Sequence, residues 1–256
     1  MVSGSGARSA GDVRALAASA WSFRWKVERE AEVRIETLAG RLEALGEPPH
    51  LVDLTRRAAA DERRHATHCA RLAAELGQPV PERAPPPPAR VAPAGLAEED
   101  AVTYELVAAC CVTESVSVAV LTTLLPAARD PSLHAVLREL AEDEVAHARL
   151  GWAHLAVAAA RGRTAFLGPL LPAMLRGSVD DDLLLPVEPD REDEALLALG
   201  VLPHATKRDL FVRALEQVVL PGLEASGVDT ADGRDWLATR CAFPKVAPGR
   251  TTDQKT

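Results

Sequence analysis

The sequence predicts an all-α protein: a four-helix bundle with one long crossover, followed by an additional C-terminal helical region. Three observations carry this. Ala and Leu dominate a chain that has a single Tyr and few β-branched runs, a balance that favours helix over sheet. Apolar residues recur at three- and four-residue steps over long stretches bounded by Gly and Pro. A Glu followed thirty positions later by Glu-x-x-His occurs twice, and corresponding members stand 82 positions apart in every case.

The elements follow in order. Residues 1 to 11 are small and polar and are expected to be disordered. Helix 1 is predicted from Asp12 to Leu45, with Trp21, Trp25, Glu28, Glu32, Ile35 and Leu42 on one face and Gly46 after its end. Helix 2 runs from Pro49 to Leu76, stopped by Gly77 and Pro79. The stretch 79–95 contains Pro85 to Pro88, an extended segment rising roughly 3.1 Å per residue, stiff enough to travel the length of a bundle. Helices 2 and 3 therefore need not be antiparallel neighbours. Helix 3 is predicted over Leu96 to Ala128 and helix 4 over Pro131 to Arg161. Beyond them, Pro169, Pro172, Pro186 and Asp180 to Asp182 read as a long irregular connector. A last helix is expected over Ala205 to Leu220, ended by Pro221 and Gly222, with a short piece near Trp236. The bundle thus spans residues 12–161, and residues 162–256 pack against it or cover one end.

The duplicated pattern comprises Glu32, Glu62 and His65 in the first half and Glu114, Glu144 and His147 in the second. Glu-x-x-His alone is weak evidence, and Glu47-Pro48-Pro49-His50 is a decoy whose prolines forbid the continuous helix that would point both side chains one way. Agreement at other positions identifies an internal repeat. Pro49 falls on Pro131, Leu51 on Leu133, Arg56 on Arg138 and Asp61 on Asp143. Both prolines suit a first helical turn, so each motif helix starts at an equivalent place.

A helical Glu and His three residues apart share a face. Two such helices, joined by two that each add one Glu, supply four carboxylates and two imidazoles, the set that a di-metal carboxylate site in a bundle requires. Hard carboxylates with neutral imidazoles suit Fe or Mn, and four glutamates nearly balance two divalent ions. Asp61 and Asp143, each one residue before the motif Glu, are placed to accept a free ring N–H and fix its tautomer. Arg64 can pair with such an Asp, but Ala146 stands at the equivalent place, so different outer surroundings are expected for the two ions. Glu28 and Glu36 lie one turn either side of Glu32, and the equal spacing of the halves favours Glu32. Cys69, Cys110, Cys111, Tyr104, Trp25 and His154 lie near enough to the motifs to matter, but core packing accounts for them.

A net charge of −8 and a pI near 5.4 give no footprint for a phosphate backbone, so no nucleic-acid partner is expected. No apolar run long enough for a membrane span and no leader are apparent, which makes the cytoplasm the expected location. The four cysteines form no C-x-x-C pair, so neither a zinc knuckle nor a rubredoxin-type iron centre is encoded.

Asp61-Glu62-Arg63-Arg64-His65, thirty positions after Glu32 and echoed by Asp143-Glu144-Val145-Ala146-His147, resembles the signature of the ferritin-like di-iron carboxylate superfamily over residues 12–161. The resemblance implies a ferritin-like bundle with two Fe ions (Mn is the alternative) and O2 or peroxide chemistry on a small organic substrate, fed by an external electron donor. An oxygenase, hydroxylase or desaturase is the expectation, with a dimer plausible. An iron-handling ferroxidase or storage module and a non-catalytic helical binding protein are the alternatives. The lack of a rubredoxin module, and Leu140 in place of an additional His, count against classical rubrerythrins and one type of N-oxygenase.

Overall fold

The structure, a computed structural model, describes residues 9–82, 90–179, 181–184 and 193–241. Residues 1–8 of the expected disordered N-terminus, the polyproline part of the crossover, Asp180, Pro186 and the tail beyond Cys241 lie outside these residues, whereas residues 9–11, expected to be disordered, cap and begin α1. All regular structure among the described residues is helical, with no strand among them. Four long helices form the bundle: α1 (Ala10–Ala44), α2 (Pro49–Glu75), α3 (Glu98–Ala127) and α4 (Pro131–Ala160). Shorter helices follow: α5 (Leu171–Gly177), α6 (Asp193–Ala198), α7 (residues 204–225) and α8 (Ala231–Cys241).

Local chemistry sets the ends. Ser9 and Asp12 form a capping box at the start of α1. Pro49 occupies the first turn of α2, and Asp130 caps α4 by accepting from the Leu133 amide at 2.8 Å, with Pro131 next in line. Cross-helix pairs fix direction. Asp61 meets His147 while His65 meets Asp143, so α2 and α4 run antiparallel; Arg24 meets Ser117 while Arg41 meets Glu98, so α1 and α3 do too. With α1–α2 and α3–α4 as hairpins, α2 and α3 must be parallel, and the connection between them has to run the length of the bundle.

Three sequence expectations change. α3 is not a plain α-helix: Val107–Thr113 winds as π-helix just before Glu114. Gly151 of α4 lies against that turn, and a Cβ on it would stand 2.5 Å from the Cys110 Cβ, so only glycine permits this approach. Second, Pro221 does not end the last helix. A π-helical turn, Leu215–Val219, precedes it, leaving Pro221 in the first turn of Leu220–Ala225, where its missing N–H is tolerated. Gly222 there packs on Trp152 so closely that a Cβ would stand 2.6 Å from the ring. Third, the connector is partly helical, because Pro172 sits at the start of α5.

The expectation that no segment could cross a bilayer is also corrected, since α3 is long and apolar enough by length and composition, with a window hydropathy of 1.8. Half of that window is buried within the protein. Its Tyr104, Val107, Cys111 and Val112 join one core cluster with α5, α7 and α8, and Val102, Leu106 and Ala109 join another with α1 and α2. That is the environment of a core helix.

Candidate metal centre

Each of the four bundle helices turns at least one acid inward midway along its length. Glu62, Glu114, Glu144 and His147 bring ligand atoms within 4.8 Å of one another, and so do Glu28, Glu62 and His65. All six positions are buried, with Glu62 shared between the two groups. The union is four carboxylates and two imidazoles. The two imidazole rings lie 5.9 Å apart, centroid to centroid.

Glu32 is not in this set, and the expectation for helix 1 is corrected to Glu28. Arg63 Nε donates to Glu32 Oε1 at 2.7 Å and Arg29 pairs with the other oxygen, so Glu32 is held on the outer side of the α1–α2 hairpin. Glu28 Oε2 instead stands 3.8 Å from His65 Nδ1. Equal sequence spacing does not translate into equal rotation, because the second hairpin contains a 3₁₀ turn, Leu125–Ala127, and a shorter connection than residues 45–48 of the first. Glu36, the other neighbour on α1, is exposed.

The histidines are oriented from outside the cluster. His65 Nε2 lies 3.1 Å from Asp143 Oδ2 and His147 Nε2 lies 3.3 Å from Asp61 Oδ2. Each imidazole is thus held by the aspartate of the opposite hairpin. Arg64 binds both acids, donating to Asp61 at 2.7 Å and to Asp143 at 2.8 Å, and also reaches Glu139 at 3.1 Å. One guanidinium therefore serves both halves. Ala146 leaves no gap, and the outer asymmetry expected from it does not arise in that form.

Both Nδ1 atoms face inward. His147 Nδ1 is 3.1 Å from Glu144 Oε2 and 3.2 Å from Glu62 Oε1, while His65 Nδ1 is 3.4 Å from Glu62 Oε2. Glu62 Oε1 and His65 Nδ1 nonetheless lack hydrogen-bond geometry with any partner, although both are fully buried. Two orphaned ligand atoms, converging with other carboxylate oxygens, fit a bound cation.

Electrostatics point the same way. Burial pushes Glu62 up to about 7 and Glu114 well above the ordinary carboxylate range, the latter reinforced by the charges of Glu144 and Glu62. Burial works against charging the histidines, but the carboxylates around them override it. Glu28 and Glu62 raise His65 to about 10, and Glu144 and Glu62 raise His147 to about 12. Burial opposes ionisation of Glu28 as well, yet Arg24 holds it far below the usual range through a 2.8 Å bond from Nε. The cluster thus retains protons on Glu114 and on both histidines that a bound cation would displace.

Sequence reading missed Arg24 and Ser117. Arg24 Nη2 reaches Ser117 Oγ at 3.3 Å and Glu144 Oε1 at 3.4 Å, and Ser117 donates to Glu144 at 3.1 Å. The i,i+4 relation of Arg24 to Glu28 was the available signal. Cys69, Cys110 and Cys111 are buried free thiols pushed upward chiefly by burial, the inert state of a core cysteine. Trp25 and Tyr104 lie in core clusters, and His154 bonds Thr103 at 3.1 Å.

The cluster opens onto a chamber of about 830 Å³ between α1 and α3. Glu28, Glu62, Glu114 and Glu144 line its inner wall; Ala20, Trp21, Val27, Val120 and Leu124 form apolar sides; Leu196, Val201 and Leu202 cover it from the C-terminal region. Trp21 Nε1 donates to the Leu199 carbonyl at 2.9 Å and ties that cover to α1.

Fold and site together define the class: a ferritin-like helical bundle with a buried carboxylate–imidazole cluster. No family model matches the chain, and no curated protein does. Among solved structures it is similar to a protein from Synechococcus with aldehyde deformylating oxidase activity, at 17% identity and a TM-score of 0.53, over 87% of this chain and 96% of that one. A likeness at that identity bears on the fold, and extends it beyond the bundle to the C-terminal helices.

Proposed function

We propose that this chain is a non-haem di-iron oxidoreductase that activates O2 or peroxide to modify a small organic substrate, with electrons from an external donor. The observation that carries it is the juxtaposition of the six-residue donor set with an apolar chamber. Glu28, Glu62, His65, Glu114, Glu144 and His147 would hold the ions, which would supply the redox step; manganese suits the same donors.

The chain's own residues do the rest. Asp143 and Asp61 accept the Nε2 protons of His65 and His147, which leaves each Nδ1 lone pair directed inward. Glu62 is placed to serve both ions. Arg24 and Ser117 restrain Glu28 and Glu144 at the chamber floor, and the sides above it are largely apolar, with Phe23 and Val27 open to solvent. The activity in the name of the Synechococcus protein supports an oxidative reaction. The chamber favours an organic substrate over the ferroxidase or storage reading, in which iron itself would be the cargo and an apolar cavity of this size would have no purpose.

Metal content of protein purified from iron-replete cells tests the reading, together with O2 consumption by the reduced protein. Two ions per chain and O2 uptake are expected, with both lost in Glu62→Ala. Equal metal content in Glu62→Ala, His147→Ala and parent would sink it, as would a hollow oligomer storing many irons per chain.

A further inference from the structure

The arginines of α1 are engaged, with one exception. Arg14 donates to the Glu75 carbonyl, Arg24 to Glu28, Arg29 to Glu32, and Arg41 to Glu98 and Glu105. Arg34 is half-buried and forms no hydrogen bond or ion pair with any described residue. It lines the large chamber and also a second cavity of about 220 Å³, and Ala109, Thr113 and Ser178 line both with it. Arg34 therefore stands where the two cavities meet.

None of the described acids at that junction neutralises it. Glu105, the acid among the residues lining the second cavity, already accepts from Arg41 at 2.9 Å and from the Ala92 amide at 3.4 Å. Glu30, at the chamber wall, faces Lys26 at 3.8 Å. A guanidinium offers five N–H donors in a planar fork that matches a carboxylate, and leaving it unmatched beside an apolar cavity loses that interaction.

Position adds a second constraint. Arg34 lies six residues from Glu28 along α1, a rise of about 9 Å. Trp21, Val120 and Leu124 line the chamber on the far side of the acids, because α1 and α3 run antiparallel. The cavity is thus an elongated slot: Arg34 at one end, the acid cluster midway and largely apolar walls beyond it, with His204 and Lys207, both already engaged in other interactions, also in its lining.

We infer that the ligand of this chamber is an elongated apolar monocarboxylate, bound with its acid group on Arg34 and its hydrocarbon across the acid cluster towards Trp21 and Leu124. This rests on the reading of the cluster as a metal centre, since two cations are what let a hydrocarbon lie across four glutamates without a positive group of its own. Arg34 is a specificity residue in this arrangement, and it presents to the cluster a carbon remote from the acid group.

The test is equilibrium binding of decanoate, decan-1-ol and decylammonium to the metal-loaded full chain, with metal content measured alongside. The parent should bind decanoate about tenfold or more tighter than decanol, and decylammonium most weakly. Arg34→Gln should remove the decanoate advantage and leave decanol binding unchanged, while Arg34→Lys should keep part of it. Equal binding of decanoate and decanol by the parent overturns the inference, as does an Arg34→Gln effect that is the same for both. Failure of all three probes to bind, with the chain dimeric through this groove, overturns it in favour of a self-interface. Two ions per chain without a carboxylate preference would leave the metal reading standing and remove only this inference. A preference on a chain that holds no ions would remove the metal reading and the hydrocarbon path across the glutamates, and keep only the pairing of the acid group with Arg34.

Discussion

The two hairpins carry the same pattern in different electrostatic surroundings. In the first, Arg24 keeps Glu28 ionised and Arg29 and Arg63 draw Glu32 outward. In the second, Glu114 follows a π-helical turn in the most apolar helix and is held protonated by burial and by its acidic neighbours. The acid that α1 contributes is already charged, whereas the acid that α3 contributes must release a proton to accept a cation. A sequence duplication therefore does not imply two equivalent sites, because burial and cation partners, absent from the motif, set the charge of each ligand.

The sharpest way to break the comparison is to remove the residue that both halves share. Glu62→Ala should abolish binding of both ions, whereas Glu28→Ala and Glu114→Ala should each lose one and Glu32→Ala none, as read by elemental analysis. Loss of metal in Glu32→Ala with retention in Glu28→Ala would reverse the assignment on α1.

Proton competition gives the next effect. With His65 at about 10 and His147 at about 12, both imidazoles are protonated near neutrality and must lose a proton to bind an ion. Affinity should therefore rise with pH between 6 and 8, by at least about tenfold per unit for each ion and more steeply where Glu114 must also lose a proton, with protons released into unbuffered solution on loading. A flat profile over that range would show that the carboxylates carry the binding without the histidines.

The crossed aspartates allow a finer test. Asp143→Asn should weaken the ion beside His65, on the other hairpin, by about 10- to 100-fold, and Asp61→Asn the ion beside His147. Arg64→Ala should weaken both. Metal titrations that show each aspartate acting on its own hairpin would contradict the geometry.

The smallest effect concerns packing. Gly151→Ala places a methyl group against Cys110, and overpacking of that kind costs about 1–3 kcal/mol, readable as a lowered Tm. The corresponding contact is missing from the first hairpin, where α1 is α-helical throughout.

Much of this was legible in the chain. Helix ends at Pro49, Asp130 and Pro131 follow from local capping chemistry, and the inward placement of Glu62, His65, Glu144 and His147 follows from spacing within single helices. What was not legible depends on relations between helices. Glu28 rather than Glu32 faces inward because the hairpins differ in turn geometry, and the π-helical turns at Val107–Thr113 and Leu215–Val219 depend on Gly151 and on neighbouring packing rather than on propensity. Arg24, Ser117 and Arg34 carry no motif; their importance comes from the cavities they line.

Since every imidazole leans on an acid contributed by the other hairpin, neither half can orient its own histidine in isolation. Maturation must then proceed in a fixed sequence, with the polypeptide assembling before it is loaded. A fragment ending before residue 98 would own a complete motif and still be unable to use it.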